Sequence, residues 1–309
     1  MQIFRAEGLS CSVGPGILIE QFKSGASLIA LAQVSLFIIA VIANFFSFRL
    51  DKFRDAMHSL SSAPGYLVAA GLYIYLAWLV FSYIQLTTGH ALPETLSVWI
   101  LAFIMEDLCF YFFHRTSHGL GLLWASHAVH HSSVYFNLTV AFRQSWFPFL
   151  IIIFYLPLAF AGIPVHIFLT IQALSLLYQA CMHTEKLKFP NFLTFVLNSP
   201  QAHRVHHSSE ERFLNRNFAG VLIVWDRLFK TYTKLEGNTN YGIYKEPVVG
   251  NLFDLQFREI LRFFSLGSVQ IAKLSLPVWV HIGITIVLVV GSVLFLGYTI
   301  LHPYWYLGL

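Results

Sequence analysis

Long runs of apolar residues without a charged side chain dominate this sequence. The run from Gln144 to Met182 contains no Asp, Glu, Lys or Arg, and residues 25–48 and 65–88 are likewise uncharged. A helix needs about 20 apolar residues to cross a bilayer. Because lipid offers the backbone no hydrogen bonds, such runs favour membrane-spanning helices.

The composition agrees with a non-aqueous environment. Apolar residues make up 57% of the chain and charged residues 11%, and the mean hydropathy is +0.65. Soluble domains carry about 25% charged residues. A net charge of +4, scattered along the chain, gives no reason to expect a nucleic-acid partner. The three cysteines are far apart and predict neither a disulfide framework nor a thiolate metal site.

The apolar runs predict an all-α integral membrane protein with about five to six membrane-spanning helices. The basic residues and the histidine motifs described below add a histidine-rich, two-metal cap on the cytoplasmic side. We expect residues 1–309 to form a single membrane-embedded catalytic domain. Its segments are three spans within 25–113, the first two histidine motifs in 114–143, a helical hairpin over 146–182, the third motif and an interfacial helix in 183–273, and a last span over 274–301.

Three boundaries within this arrangement are specific enough to be checked. Pro64-Gly65 is expected to open the second span. The third span covers residues 95–113. Gly162 and Pro164 supply the break in the hairpin, because both residues disfavour continuation of a helix.

Basic residues orient the predicted spans. Of the 19 lysines and arginines, only Arg5 and Lys23 precede the first span, and the other 17 fall in segments that share one side of the membrane. The positive-inside rule places this side in the cytoplasm, in a bacterial inner membrane or the endoplasmic reticulum. The first 24 residues lack the basic start and apolar core of a cleavable signal peptide.

The segment 251–266 has the pattern of an amphipathic helix. Asp254, Arg258 and Arg262 form one stripe, and apolar residues cover the rest. Such a helix lies on the lipid headgroups or packs against protein, and the sequence leaves both alternatives open.

Eight of the 14 histidines form three motifs. On a helix, residues at i, i+3 and i+4 share one face, so each motif can aim its rings at a common point. Neutral imidazole binds iron, zinc, copper or nickel, and eight rings exceed the needs of one ion. The motifs are HxxxH at His114 and His118, and HxxHH at His127, His130 and His131 and again at His203, His206 and His207.

Other polar residues are candidates for the same site. His183, at the cytoplasmic end of the hairpin, is a ninth candidate ligand. Gln179 lies one turn before it and is interpreted as a weak ligand, a supporting donor or a packing residue. Asp107 lies two turns before His114 and would accept the outer N–H of a ligating histidine or pair with a lysine or arginine. Glu106 is expected at the membrane interface. We expect the remaining histidines to be structural: His58, His90, His166, His281 and His302.

The three motifs, in this order, resemble those of the fatty acid hydroxylase and sterol desaturase superfamily. The resemblance covers residues 107–241, and within the superfamily it points to the alkylglycerol monooxygenase branch. Beyond the motifs, it rests on His131-Ser-Ser, Phe136-Asn-Leu, Ala141-Phe-Arg-Gln-Ser145, His183-Thr-Glu185 and Asn217-Phe-Ala-Gly-Val-Leu-Ile-Val-Trp-Asp226.

The resemblance implies two iron ions, a cytoplasmic active site and hydroxylation of a lipid by O₂. The alkylglycerol branch adds ether-lipid cleavage and tetrahydrobiopterin as the two-electron donor. Gly119 stands where that branch is expected to carry glutamate, so other lipids, ornithine-containing lipids among them, stay open as substrates. No flavin, haem or pterin motif is visible, so a separate donor must supply the electrons.

Two other classes of function compete with this interpretation. A membrane zinc hydrolase would use the same imidazoles, but the sequence has no HExxH and no carboxylate inside the motifs to act as a general base. A non-enzymatic metal transporter would place polar residues at mid-membrane, and a haem protein would need only one histidine pair. The sequence leaves the oligomeric state open.

Overall fold

The computed structural model describes residues 50–247 and 251–264, together with Ser35 and Ile38. The predicted first and last spans, as well as His281 and His302, lie outside the described residues. Within them the fold is helical and has no β-strand, only two isolated bridges. The helices are α1 (Leu50–Thr88), α2 (Leu96–Ser117), α3 (Gly121–His131), α4 (Ile152–Phe160), α5 (Val165–Cys181), α6 (Pro200–His206), α7 (Val224–Leu228) and α8 (Leu252–Phe263).

Helix α1 begins at Leu50, so the helix itself does not start at Pro64-Gly65, the predicted entrance of the span. The helix runs through the proline without interruption. The Trp146 indole N–H donates to the Ser62 carbonyl at 3.0 Å, and its ring occupies the space beside Gly65, where an added Cβ would lie 2.3 Å from the indole nitrogen. The Trp146 side chain, from a distant segment, therefore packs against α1 directly beside its proline.

Helices α1 and α2 are the two in the described part of the chain that are long and apolar enough to cross a membrane. Helix α2 continues past the predicted end at Phe113 and carries His114 in its last turn, and His118 follows directly after its end. Both helices expose large apolar side chains over much of their length, which would be costly in water and indicates a membrane protein. These side chains include Val68, Leu72, Leu79, Tyr83, Leu86, Leu96, Ile100 and Ile104.

The predicted hairpin break is confirmed between α4 and α5. Gly162 adopts φ +78°, a conformation that glycine reaches without steric cost, and its carbonyl accepts a hydrogen bond from the Leu92 N–H at 2.8 Å. Helix α4 has nine residues and α5 has 17. At 1.5 Å per residue, neither reaches the roughly 30 Å of a bilayer core. The hairpin packs into the main core, where the Phe81 and Phe168 rings stack at 4.7 Å.

Helix α8 packs against α3, as one of the two alternatives for this segment predicted. Leu252 and Leu255 pack with Val129, and Trp146 joins the same cluster. The other side of α8 leaves Phe253, together with Phe263 and Phe264 at its end, exposed. Hydrogen bonds from the Trp146 N–H to Gln256 and from Ser126 to the Phe147 carbonyl join both helices to the segment before the hairpin.

Candidate metal centre

The structure brings all nine candidate histidines together in two adjacent groups. Within each group, one ring nitrogen per residue lies within 4.8 Å of the others. The first group is His114, His118, His127, His131 and His206, and the second is His130, His183, His203 and His207. Each HxxHH motif therefore contributes to both groups, and neither group includes a carboxylate among the described residues.

Short helices with defined ends present these rings. His114 lies in the last turn of α2, and His183 follows the end of α5. Helix α6 begins at a favourable N-terminus, because the Ser199 side chain caps the Ala202 N–H at 3.2 Å and Pro200 takes the first helical position. Helix ends thus bring motifs that are far apart in sequence to one place.

The donor set fits metal ions. Ring nitrogens of neighbouring histidines approach to 3.0 Å in the His114–His127 and His183–His203 pairs. Buried nitrogens without a hydrogen-bond partner occur on His118, His203, His206 and His207. Two imidazole nitrogens on one ion at about 2.1 Å lie no more than about 4.2 Å apart, close to the spacing found here.

Burial keeps these histidines neutral, as metal binding requires. Removal from water lowers the pKa of His130 to about 4, although its hydrogen bond to a backbone carbonyl acts in the opposite direction. The pKa values of His131, His183 and His207 are likewise well below the ordinary range, chiefly because of burial and then because of neighbouring imidazoles.

Backbone carbonyls, and not carboxylates, orient the outer ring nitrogens. The Nδ1–H of His114 donates to the Phe218 carbonyl at 2.7 Å, and that of His206 donates to the Arg216 carbonyl at 3.0 Å. His183 makes the equivalent bond to the Gln179 carbonyl at 3.0 Å. Each bond fixes the tautomer that leaves Nε2 free to face the centre of its group.

Comparison with known families agrees with this arrangement. Residues 99–231, which include all nine histidines, match the fatty acid hydroxylase family. The chain contains a fatty acid hydroxylase domain.

The domain is also similar to curated lipid-modifying enzymes. It is 42% identical to alkylglycerol monooxygenase of Danio rerio over 183 residues, which cover 57% of this chain and 38% of the relative. The human alkylglycerol monooxygenase is 35% identical over 212 residues, 63% of this chain and 44% of the relative. Ornithine lipid hydroxylase OlsE of Rhizobium tropici is 26% identical over 215 residues, 66% of this chain and 65% of the relative.

The matched region spans less than half the length of the alkylglycerol monooxygenases. No solved structure matches the chain. The relatives named above are oxygenases that act on lipids, as the resemblance of the motifs predicted.

Two carboxylates hold the loop of the hydroxylase domain that contains the Phe218 and Arg216 carbonyls, the acceptors for His114 and His206. Asp107 accepts the backbone N–H groups of Val221 and Leu222 at 2.7 and 2.9 Å and the Trp225 indole N–H at 2.9 Å. Asp226 accepts the N–H groups of Phe218 and Ala219, both at 2.8 Å. Among the described residues, Asp107 contacts no candidate histidine and no basic side chain, so neither predicted partner is found, and it instead accepts hydrogen bonds from the loop that contacts His114.

Glu106 also differs from expectation, whereas the Gln179 side chain makes a packing contact, one of the roles left open for it. Glu106 was predicted at the membrane interface but is 1% exposed, because its face of α2 turns toward α4 and α5, where the Tyr155 hydroxyl donates to it at 3.4 Å. The side chain of Gln179 donates to Ser175 at 3.1 Å. It is the backbone carbonyl of Gln179, not its amide, that supports His183.

A buried ion pair beneath the second motif was missed from the sequence. The Arg143 guanidinium, 1% exposed, contacts an Asp55 carboxylate oxygen at 2.6 Å and donates to Ser59 and Ser132 at 3.0 and 3.2 Å. The Arg143 carbonyl accepts from His130 Nδ1 at 3.3 Å. The segment Ala141–Ser145, which carries part of the family resemblance, was the one signal for it.

A cavity of about 670 Å³ reaches the histidines from the apolar side of the hydroxylase domain. Its volume lies in the range typical of sites for small organic ligands. The outer part is bordered by exposed apolar residues, among them Leu122, Leu150 and Phe264. Five histidine rings line the inner part: His114, His127, His130, His183 and His203.

The histidines expected to be structural lie apart from the two groups where the structure describes them. His166 pairs with Glu94 at 3.3 Å, and His90 packs beside Gly162 at the hairpin turn. The His58 carbonyl accepts hydrogen bonds from Ser61 and Ser62 within α1.

Proposed function

We propose that this chain is a di-iron, O₂-dependent monooxygenase that hydroxylates a C–H bond of a membrane lipid. The observation that carries the proposal is the apolar cavity, which opens among exposed apolar residues and ends on histidine rings of both groups. A hydrocarbon chain is the ligand that such a cavity accommodates, and it brings a carbon atom beside the metal ligands.

All nine histidines, His114, His118, His127, His130, His131, His183, His203, His206 and His207, are proposed as ligands of two iron ions. The iron ions, with O₂ and two electrons, would supply the oxidising power that an unactivated C–H bond requires. The protein holds each ring through carbonyls such as those of Phe218 and Arg216, and the apolar cavity excludes water from the reacting carbon.

We further propose the membrane arrangement. Residues 114–143 and 183–247 face the cytoplasm, so both histidine groups lie on the cytoplasmic side. The chain forms one multi-pass, membrane-embedded unit. The support is the distribution of lysine and arginine together with the exposed apolar faces of α1 and α2. The substrate enters sideways from the bilayer, and a separate two-electron donor reaches the site from the cytoplasm.

An alkyl ether lipid is the narrower substrate proposal. The relatives from Danio rerio and human are named alkylglycerol monooxygenase. Hydroxylation of a carbon that bears an ether oxygen gives a hemiacetal, which collapses to an aldehyde and an alcohol. Tetrahydrobiopterin is then the proposed donor. Hydroxylation of another lipid class, as the name of OlsE states for that protein, would leave a stable alcohol.

Isotope labelling tests the proposal. Purified, iron-loaded protein in lipid vesicles, supplied with tetrahydrobiopterin, should convert a lipid to a product that carries label from ¹⁸O₂ and none from H₂¹⁸O. An aldehyde product must be reduced to the alcohol as it forms, because its carbonyl oxygen exchanges with water. Lipid profiles of cells with and without the gene then separate loss of alkyl ethers from gain of one oxygen atom on another lipid. Label that arrives from water, in a protein that retains zinc alone, would mean hydrolysis and would refute the oxygenase.

A further inference from the structure

A second, chemically different pocket lies close to the metal centre. It has a volume of about 250 Å³ and shares no described lining residue with the apolar cavity. Ser132 and Ser209, each one or two residues from a histidine ligand, form part of its wall, and Tyr241, Lys245 and Glu246 form another part. A hydrocarbon chain would leave these polar groups without hydrogen-bond partners, so the pocket suits a small polar molecule.

An aromatic stack joins this pocket to the second histidine group. Tyr241 lines the pocket, and its ring stacks on Phe136 with centroids 5.1 Å apart and an interplanar angle of 20°. Phe136 in turn lies 5.3 Å from the His207 ring and 5.5 Å from the His183 ring. Phe136 is buried, so Tyr241 is the point at which this stack reaches solvent-accessible space.

Polar contacts hold Tyr241 in this orientation. Its hydroxyl donates to a Glu185 carboxylate oxygen at 2.8 Å and accepts from the Arg204 Nε–H at 2.9 Å. Arg204 and Glu185 also pair with each other at 3.3 Å. An aromatic side chain fixed at its polar end presents its ring as a rigid wall, on which a planar ligand can stack.

We propose that the polar pocket beside Tyr241 binds the electron donor, a small planar reduced heterocycle, and that electrons pass through Tyr241 and Phe136 to the His130, His183, His203 and His207 group. This inference rests on the proposed function and locates its donor. The lipid and the donor then occupy separate pockets, so neither must leave before the other binds.

The overall reaction balances with such a donor. The lipid C–H bond breaks and a C–O bond forms with one atom of O₂, while the other atom leaves as water. The donor loses two electrons and two protons, which supply both hydrogens of the water. Hydrogen peroxide would replace O₂ and the donor together, because it already carries those two electrons and two protons.

Steady-state kinetics with tetrahydrobiopterin as the probe tests the donor pocket. Removal of a stacking ring costs about 0.5–1.5 kcal/mol, so Tyr241→Leu should raise the KM for tetrahydrobiopterin by about two- to tenfold. The KM for the lipid and the rate of peroxide-driven turnover should stay at wild-type values. Tyr241→Phe, which keeps the ring, should retain most of the affinity for the donor.

Tyr83→Leu is the control, because it removes an exposed aromatic ring on α1 that neither lines the pocket nor contacts its lining residues. This control should leave the KM for tetrahydrobiopterin, the KM for the lipid and the rate of peroxide-driven turnover unchanged. An unchanged donor KM in Tyr241→Leu would overturn the proposal, as would equal losses of donor-driven and peroxide-driven turnover. Wild-type turnover with peroxide but not with tetrahydrobiopterin would also overturn it, while absence of hydroxylation under every condition would refute the proposed function itself.

Discussion

Asp107 accepts a hydrogen bond of 2.7 Å from the backbone N–H of Val221, 114 positions later in the chain. The contact joins helix α2 to the loop that carries the Phe218 carbonyl, and this carbonyl orients His114, which lies on α2 itself. Asp107 and His114, two turns apart on α2, therefore both form hydrogen bonds with the same loop. Loss of either hydrogen bond should disturb the first histidine group.

The first prediction concerns this carboxylate. In Asp107→Asn, one acceptor oxygen becomes an NH₂ group that faces N–H donors, and an unsatisfied buried donor costs about 1–3 kcal/mol. We expect a lower melting temperature and a loss of bound metal, measured on purified protein. Asp254→Asn is the control, since Asp254 lies on α8 and pairs with Arg258. Full metal content in Asp107→Asn would show that the loop keeps its position without the carboxylate.

The second prediction concerns the buried Arg143. Lysine keeps the charge but cannot reproduce the guanidinium contacts with Asp55, Ser59 and Ser132, and each buried polar group left without a partner costs about 1–3 kcal/mol. Arg143→Lys should therefore lower the stability and displace the carbonyl that supports His130. Metal content should fall from about two ions per chain toward one, as two histidine groups imply. Arg212→Lys, in an exposed ion pair, should have little effect.

His183 provides the sharpest test of the proposed ligand set, because it lies outside the three motifs. His183→Ala should lower metal content and turnover about as severely as His206→Ala. His166→Ala should spare both, since His166 pairs with Glu94 at a distance from the groups. Full metal content and turnover in His183→Ala would assign this residue a structural role alone.

The histidines could be predicted because their signal is local. Spacings of three and four residues place rings on one helical face whatever the rest of the chain does. Spacing could not predict how the motifs divide into groups. His130 and His131 are neighbours in sequence yet belong to different groups, because successive residues point about 100° apart around a helix.

The supporting contacts were missed because they are made at long range. Helix periodicity places Asp107 two turns from His114, but whether it meets a side chain or a loop depends on where residues 216–222 fold back. The ion pair of Arg143 with Asp55 and the burial of Glu106 also depend on neighbouring helices. The helix through Pro64 was missed for the same reason, since Trp146 comes from a distant segment.

Membrane topology is tested by cysteine labelling in a chain whose native cysteines are replaced by serine. Glu94→Cys, in the loop before α2, should react with a membrane-impermeant thiol reagent in intact cells. Glu236→Cys, in an exposed loop that follows the third motif, should react only after permeabilisation. The reverse pattern would place the histidine groups outside the cytoplasm and overturn the proposed orientation.

The last prediction tests whether the apolar cavity is the lipid site. Ala173 lines the cavity and is buried, whereas the next residue of α5, Leu174, is 59% exposed on the outer surface. Ala173→Phe would place a ring inside the cavity and reduce the room for a chain, while Leu174→Phe changes only the outward face. We expect Ala173→Phe to raise the KM for long-chain lipids, to affect short-chain analogues less, and to leave metal content and peroxide consumption without lipid unchanged. Leu174→Phe should match the wild type throughout.

If both variants process long-chain lipid equally well, the substrate reaches the histidines by another route. An equal loss for long and short chains in Ala173→Phe would instead indicate general damage to the fold, which a lowered melting temperature would reveal.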